Sequence, residues 1–211
     1  MKDRVVVVGG GGHARVILDL LSEVADLDVA GFTSVDGQPE LLWAYRCLGT
    51  DDALDGLLTS GVRHGFVALG SNKRRSECLE LLKQKGFYLV NAISRAAFVS
   101  ARAKLGLGVA LMPGAVVNAG ARLGDGVIVN TNASVDHDCI IGACAHIGPG
   151  VALAGCVHVG EGAFVGAGST VLPGIVIGNW TTIGAGSVVI GNVADHALAV
   201  GVPAEVRKRT T

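Results

Sequence analysis

Two stretches of the 211-residue chain combine side chains that could do chemistry. The first is Asp136-His137-Asp138. A histidine in such a setting can take and release a proton near neutral pH, because its unperturbed pKa is about 6.5. A solvated loop histidine between two acids has the same local sequence. The second is Gly9-Gly10-Gly11-Gly12-His13, lying between the apolar run Val5 to Val8 and a segment of helical period. Gly9-x-Gly11-x-x-Ala14 fits the fingerprint in which a bare backbone approaches an anionic ligand at a helix N-terminus. A tight turn that packs a helix on a sheet calls for the same glycines.

The elements that must position these residues differ between the two parts of the chain. Up to about residue 90, strands and helices alternate. Val5 to Val8 reads as a buried strand, and Ala14 to Val24 as a helix with Ala14, Ile17, Leu18, Leu21 and Ala25 on one face. Val29 to Thr33 and Gly65 to Gly70 are further strands, a helix runs from about Lys73 to Lys85, and Phe87 to Val90 closes the set. Such alternation predicts a parallel sheet with right-handed crossovers.

From Ile93 an aliphatic residue recurs at every sixth position. The series is Ile93, Val99, Leu105, Leu111, Val117, Leu123, Val129, Val135, Ile141, Ile147, Leu153, Val159, Val165, Val171, Ile177, Ile183 and Val189, which makes 17 hexads without a slip. Four residues after most of them stands a small or β-branched residue such as Ala115, Val127, Cys139 or Ser169, and glycine often follows the aliphatic directly. The pattern predicts a β-solenoid with one short strand and one corner per hexad, the aliphatic pointing into a narrow core, and glycine or asparagine giving the corner its backbone freedom. Three hexads per turn give between five and six turns. His137, at the third place of its hexad, should project outward, and His146 falls at a corner place.

A metal site is not expected. Cys139, Cys144, His146, Cys156 and His158 are close in sequence, but residues on this solenoid stack only at separations near 18. His146 and His158 differ by 12, as do Cys144 and Cys156, and Cys139 belongs to the core. His64 and His196 are placed in loops and given no role.

The hexads resemble those of the hexapeptide-repeat acyltransferases. Within that superfamily the chain is similar, over nearly all its length, to the nucleotide-amino-sugar acetyltransferases of the NeuD/PglD kind. The matching marks are the Gly9 to His13 loop, Gly70-Ser71-Asn72 with Arg75, Asn130-Thr131, Asp136 to Gly142, and Gly201-Val202-Pro203-Ala204. The resemblance implies a Rossmann-like α/β domain, residues 1–92, that binds the nucleotide sugar. It implies a left-handed parallel β-helix with a C-terminal tail, residues 93–211, that binds acetyl-CoA and forms a homotrimer. The implied reaction is N-acetylation of a nucleotide-linked amino sugar for surface glycan synthesis. The rivals are O-acetylation of a sialic acid or related sugar and, in another class, a non-catalytic trimeric scaffold.

The same resemblance assigns the candidate residues. His137 becomes the general base, and Asp138, where relatives commonly have Glu, raises its basicity and fixes its tautomer. Gly11, Gly12, His13, Thr33, Ser34, Asn72, Arg75 and Asn130 fall to the acceptor, Asn72 and Arg75 facing its phosphates and Asn130 orienting the acceptor or the histidine. His146 and the backbone near Gly155, Ala167 and Ala185 fall to acetyl-CoA, and the tail Arg207-Lys208-Arg209 could meet its 3′-phosphate. Relatives often carry two aspartates where this chain has Thr33 and Ser34, so the nucleotide, uridine or guanosine, is left open.

Composition narrows the classes further. Half the residues are apolar, 17% are charged and the formal net charge is −1, which excludes disorder and gives no electrostatic case for nucleic acid. From Gly162 to Ala194 no acid, Lys or Arg occurs, yet hydroxyls, asparagines, Pro173 and frequent glycine argue against a membrane span. Met1-Lys2-Asp3-Arg4 leads into only four valines, too short for a signal-peptide core of roughly 7–15 apolar residues. The five cysteines, an odd count, read as reduced thiols, and the expected location is the cytoplasm. A nicotinamide enzyme is disfavoured, because only about 90 residues precede the solenoid and no acid ends the second strand.

Overall fold

The computed structural model describes residues 2–38 and 40–209, the side chains of Lys208 and Arg209 excepted. The chain divides into two compact units, residues 1–92 and 93–211.

In the first unit, β1 (Asp3–Val8), β2 (Leu27–Thr33), β5 (His64–Val67) and β6 (Tyr88–Leu89) form a parallel sheet in the order β2-β1-β5-β6. Val5, Val6 and Val7 are wholly buried, as a continuous apolar strand covered on both faces must be. Helix α1 (Gly12–Ser22) buries Ala14, Ile17, Leu18 and Leu21, four of the residues its periodicity singles out. It begins two residues earlier than read from the sequence, on the last glycine of the loop. Between β2 and β5 lie a hairpin of β3 (Leu41–Leu42) and β4 (Tyr45–Arg46), a 3₁₀ turn at Asp51–Ala53 and α2 (Leu54–Thr59), all too short for periodicity to reveal. Helix α3 (Asn72–Lys85) is capped by the Ser71 hydroxyl, which accepts from Arg74 N, and ends on Gly86 at φ 89°. His64, read as a loop residue, is the first residue of β5. The chain passes from β2 at one side of β1 to β5 at the other, so the strand order reverses at the C-terminal end of β1. Open α/β sheets bind ligands at that point.

The second unit is a β-solenoid of about six turns, with the architecture of a left-handed parallel β-helix. Each hexad places a two-residue strand at its last residue and the following aliphatic, so strands such as Ile128–Val129, Ser134–Val135 and Ile140–Ile141 succeed one another on three faces. Each strand pairs in parallel with the one 18 residues on: Ile128 with His146, Ser134 with Ala152, Ile140 with His158. From Leu111 to Val189 every aliphatic of the series is buried, while Ile93, Val99 and Leu105 are partly buried. The small inward positions include the buried hydroxyls Ser169, Thr181 and Ser187. Ser169 Oγ donates to Gly184 O (2.9 Å) and Thr181 Oγ1 to Ala194 O (2.6 Å), which offsets the cost of taking them out of water.

Two kinds of glycine build the coil. At the place after the aliphatic, a side chain on Gly142 would run into the backbone of Gly160 and Glu161 one turn on. The corner itself lies two places later, where φ is positive for Gly126, Asn132, Asp138, Cys144, Gly150 and Cys156 in succession. Corner freedom is therefore needed at the fourth place, and glycine after the aliphatic serves close approach between turns. His146, predicted at a corner, lies on a strand, because strands occupy the sixth and first places.

Candidate active site

His137 stands at an exposed corner of the solenoid, in the turn that follows strand Ser134–Val135. Three contacts hold it. Its backbone N–H donates to Asp136 Oδ1 (2.6 Å), and that carboxylate also accepts from Asn118 Nδ2 one turn below (3.0 Å). Its Nδ1 lies 3.0 Å from Asp138 Oδ2. Its ring occupies the space over Gly155, where a Cβ would collide with Nε2 and Cε1. The hydrogen bond to Asp138 is the main cause that raises the His137 pKa above its usual value. The N–H of His137 and the Asn118 amide hold the Asp136 carboxyl below its usual range. With Asp138 accepting from Nδ1–H, Nε2 is left as the basic nitrogen.

A second imidazole has its own support. Asn130 Oδ1 accepts from Thr131 N (2.8 Å), which turns Asn130 Nδ2 towards His146 Nε2 at 3.0 Å. An amide nitrogen only donates, so Nε2 of His146 accepts and the neutral ring carries its proton on Nδ1. Phe164, one turn on, packs edge-on against the ring, with centroids 5.2 Å apart. Asn130 was expected to orient the acceptor or His137; the side chain it binds is His146.

The three small residues expected at acetyl-CoA separate. Gly155 shares the corner of His137, 18 residues along. Ala167 and Ala185 are exposed and stack on each other at a different corner, that of the face carrying His146. Within one chain they do not converge with His137. Of the basic tail, Arg207 pairs with Glu205 (3.4 Å), while the side chains of Lys208 and Arg209 lie outside the described residues.

In the first unit, a cleft of about 260 Å³ opens at the C-terminal ends of β1 and β2. Gly9, Gly10 and Gly11 form one wall; Gly9 has φ 123°, and a Cβ there would strike Ala68 O. Gly11 caps α1 without any side-chain hydrogen bond, and the first turn of α1 has no acid. The N–H groups of that turn are thus open to an anion. Thr33 and Ser34 line the opposite wall with Asp36 and Asp51. Thr33 Oγ1 donates to Asp51 Oδ1 (2.8 Å), and Ser34 Oγ donates to Asp36 Oδ1 (3.2 Å) and to Gln38 O. The carboxylates that the sequence lacks at 33 and 34 therefore reach the cleft from two other positions. Gln38 N–H, with Ser34, holds the Asp36 carboxyl below its usual pKa.

Arg75 corrects the sequence reading. It is 1% exposed, and its guanidinium donates to Leu69 O (2.9 Å), Gly70 O (3.4 Å) and Asn72 Oδ1 (2.9 Å). Arg75 and Asn72 hold each other and the loop after β5 instead of projecting to a phosphate. The guanidinium that lines the cleft is Arg74, exposed on the next residue. Helical phase contains the signal: 75, 78, 79 and 82 are the buried positions of α3, and 74 is off that face. His13 is half-buried above this arrangement. Burial, then the Arg75 charge, lowers its pKa to about 4, so its ring is neutral at physiological pH, and its Nε2 finds no hydrogen-bond partner among the described residues.

Comparison with known proteins follows this division. Residues 4–82 match the PglD N-terminal domain, and residues 156–191 match the bacterial transferase hexapeptide family (six repeats). The crystal structure of PerB from Caulobacter crescentus in complex with CoA and GDP-perosamine is 44% identical to this chain, with a TM-score of 0.93 and 97% of each chain covered. The chain belongs to the NeuD/PglD family of hexapeptide-repeat acyltransferases. The acetyltransferase domain of PglB from Neisseria gonorrhoeae is 33% identical to this NeuD/PglD protein, with a TM-score of 0.91 over 98% of this chain and 100% of the other, and is also solved with acetyl coenzyme A. Two variants of the Caulobacter crescentus N-acetyltransferase, with one histidine replaced by asparagine or alanine, are solved with CoA and GDP-perosamine. Among the described residues of this family member, no helix is long and apolar enough to cross a membrane.

Proposed function

We propose that this acyltransferase moves the acetyl group of acetyl-CoA onto the amine of a nucleotide-linked amino sugar, with His137 as general base. The observation that carries the reading is the outward His137–Asp138 pair at 3.0 Å, on a chain 44% identical to a protein solved with CoA and GDP-perosamine. The neutral amine attacks the thioester carbonyl, Nε2 of His137 takes the proton from nitrogen, and the C–S bond breaks to release CoA. Asp138 holds the tautomer and stabilises the imidazolium that forms. A hydrogen bond from a backbone amide offsets the charge of the tetrahedral oxyanion.

The first unit holds the nucleotide sugar. The open amides at Gly11 and Gly12 and the guanidinium of Arg74 meet the diphosphate, and Thr33, Ser34, Asp36 and Asp51 meet the nucleoside. His13, neutral and lacking a partner, offers one further polar contact. The second unit holds acetyl-CoA beside His146 and Gly155. Ala167 and Ala185 lie at another corner, which fits a donor groove shared between copies of a homotrimer. The setting is cytoplasmic surface-polysaccharide synthesis.

The test is a panel of GDP- and UDP-linked amino sugars together with a sialic acid, read by the release of free CoA thiol. A GDP-linked 4-amino sugar comes first, since the Caulobacter crescentus relative is bound to one. Turnover of amino sugars only is the expected result; turnover of the sialic acid hydroxyl only overturns N-acetylation. His137→Ala should lower kcat by about 10²–10⁴-fold with acceptor binding intact. Near-native turnover in that variant removes His137 from the mechanism.

A further inference from the structure

The corner that carries His137 holds a third reactive group. Cys156 lies 18 residues beyond Asp138 and stacks on it, both at the fourth place of a hexad with left-handed φ, 58° for Asp138 and 61° for Cys156. Its backbone N–H donates to His137 O (2.9 Å), so the two turns are tied where the side chains leave the coil. One ring nitrogen of His137, one carboxylate oxygen of Asp138 and the thiol sulfur of Cys156 all lie within 4.8 Å of one another, and all three residues are exposed. The nearby Cys139 is different: it is buried, donates to Ala154 O (3.2 Å), and burial pushes its thiol up to about 11.

Imidazole, thiolate and carboxylate form a donor set that suits a borderline d¹⁰ ion, with metal–ligand distances of about 2.0–2.3 Å. Ligand atoms around such an ion stand roughly 3–4 Å apart, so side-chain rotation closes the triangle while the backbone stays fixed. Magnesium and calcium prefer all-oxygen shells and fit poorly. Three protein ligands leave a fourth position for water.

We propose that His137, Asp138 and Cys156 form a three-ligand site for zinc-like divalent cations, and that filling it stops acetyl transfer. The ion and the acceptor amine compete for the same imidazole and for the carboxylate that orients it. Binding stands on the geometry alone, whereas inhibition rests on the proposed role of His137 as base. Cys156 has no part in the transfer itself, so its thiol can be removed without removing the base.

Two readouts separate the two claims. Metal-free full-length protein is titrated with Co²⁺, and a thiolate-to-cobalt charge-transfer band that Zn²⁺ displaces is the expected result. Acetylation is then measured with micromolar Zn²⁺ and after chelation. Wild type should lose at least tenfold in turnover and recover it with chelator. Cys156→Asn should keep its metal-free turnover, show no band and need at least tenfold more Zn²⁺ for the same inhibition. Asparagine is chosen because the chain already uses it at an equivalent left-handed corner, Asn132 at φ 55°; Cys156→Ser is the second variant. No band in wild type, or a band kept by both variants, overturns the site. A band with turnover unaffected by Zn²⁺ overturns the inhibition. If no amino sugar is acetylated, the proposed function fails, and the band still decides the site.

Discussion

At the scale of the residue, His137 depends on what the coil places around it. Asp138 raises its pKa through the hydrogen bond to Nδ1, and Gly155 leaves room for the ring. The base works only when neutral, so turnover should fall as pH drops through this raised pKa. Asp138→Asn removes the negative acceptor, so the folded-state pKa of His137 falls back and the acid limb of the kcat profile moves to lower pH. The same variant loses part of the imidazolium stabilisation, so kcat at the plateau should drop, by less than His137→Ala causes. An unmoved acid limb in a kcat-against-pH measurement would show that Asp138 does not govern the base. Gly155 is also where two readings of one residue meet. A small residue was anticipated beside the donor, yet its observed neighbour is the imidazole itself.

At the scale of the element, helix α3 and the loop before it divide work between adjacent arginines. Arg75 faces inward with Cys78, Leu79 and Leu82, and its guanidinium ties down the carbonyls of Leu69 and Gly70. Arg74 faces the cleft. Arg75→Ala leaves those carbonyls unpaired and a void behind them, so a loss of about 2–4 kcal/mol is expected, read as a lowered Tm. Arg74→Ala should leave Tm nearly unchanged, as surface substitutions usually do within about 0.5 kcal/mol. Its effect should appear as a raised KM for the nucleotide sugar with KM for acetyl-CoA unaltered. The opposite pattern would return the phosphate contact to Arg75. The elements around this pair were read unevenly from sequence. Helices α1 and α3 repeat their apolar face over three turns or more, which periodicity detects. The β3–β4 hairpin and α2 are two to six residues long and leave no period to find.

At the scale of the whole molecule, the β-helix leaves Phe98, Ile140, Leu172, Val176 and Ile190 exposed on a coil whose interior is otherwise filled by aliphatics. Those side chains, and the placing of Ala167 and Ala185 away from His137, accord with assembly into a trimer. Light scattering after size exclusion should give a mass about three times the 21.4 kDa chain. A monomer with full turnover would mean that one chain completes its own donor site.

The sequence by itself determined the solenoid and the outward placing of His137. A strict period of six, stacked at 18, repeats one local geometry, and each repeat reports which residues turn inward without reference to any distant part of the chain. It also determined the glycine loop, because the loop, its strand and its helix are contiguous. Only the tertiary structure decided which residues meet across aperiodic stretches. Asp51 and Arg74 join Gly9 to Gly11 at the cleft from separate loops, Asn130 chooses His146 over His137, and Arg75 turns inward to the loop carbonyls. Each of those contacts spans elements whose relative position follows from packing, and packing leaves no period in the sequence. Cys156 stands between the two cases: its 18-residue offset from Asp138 was legible, but the convergence of its sulfur with the ring depends on two left-handed corners that only the fold displays.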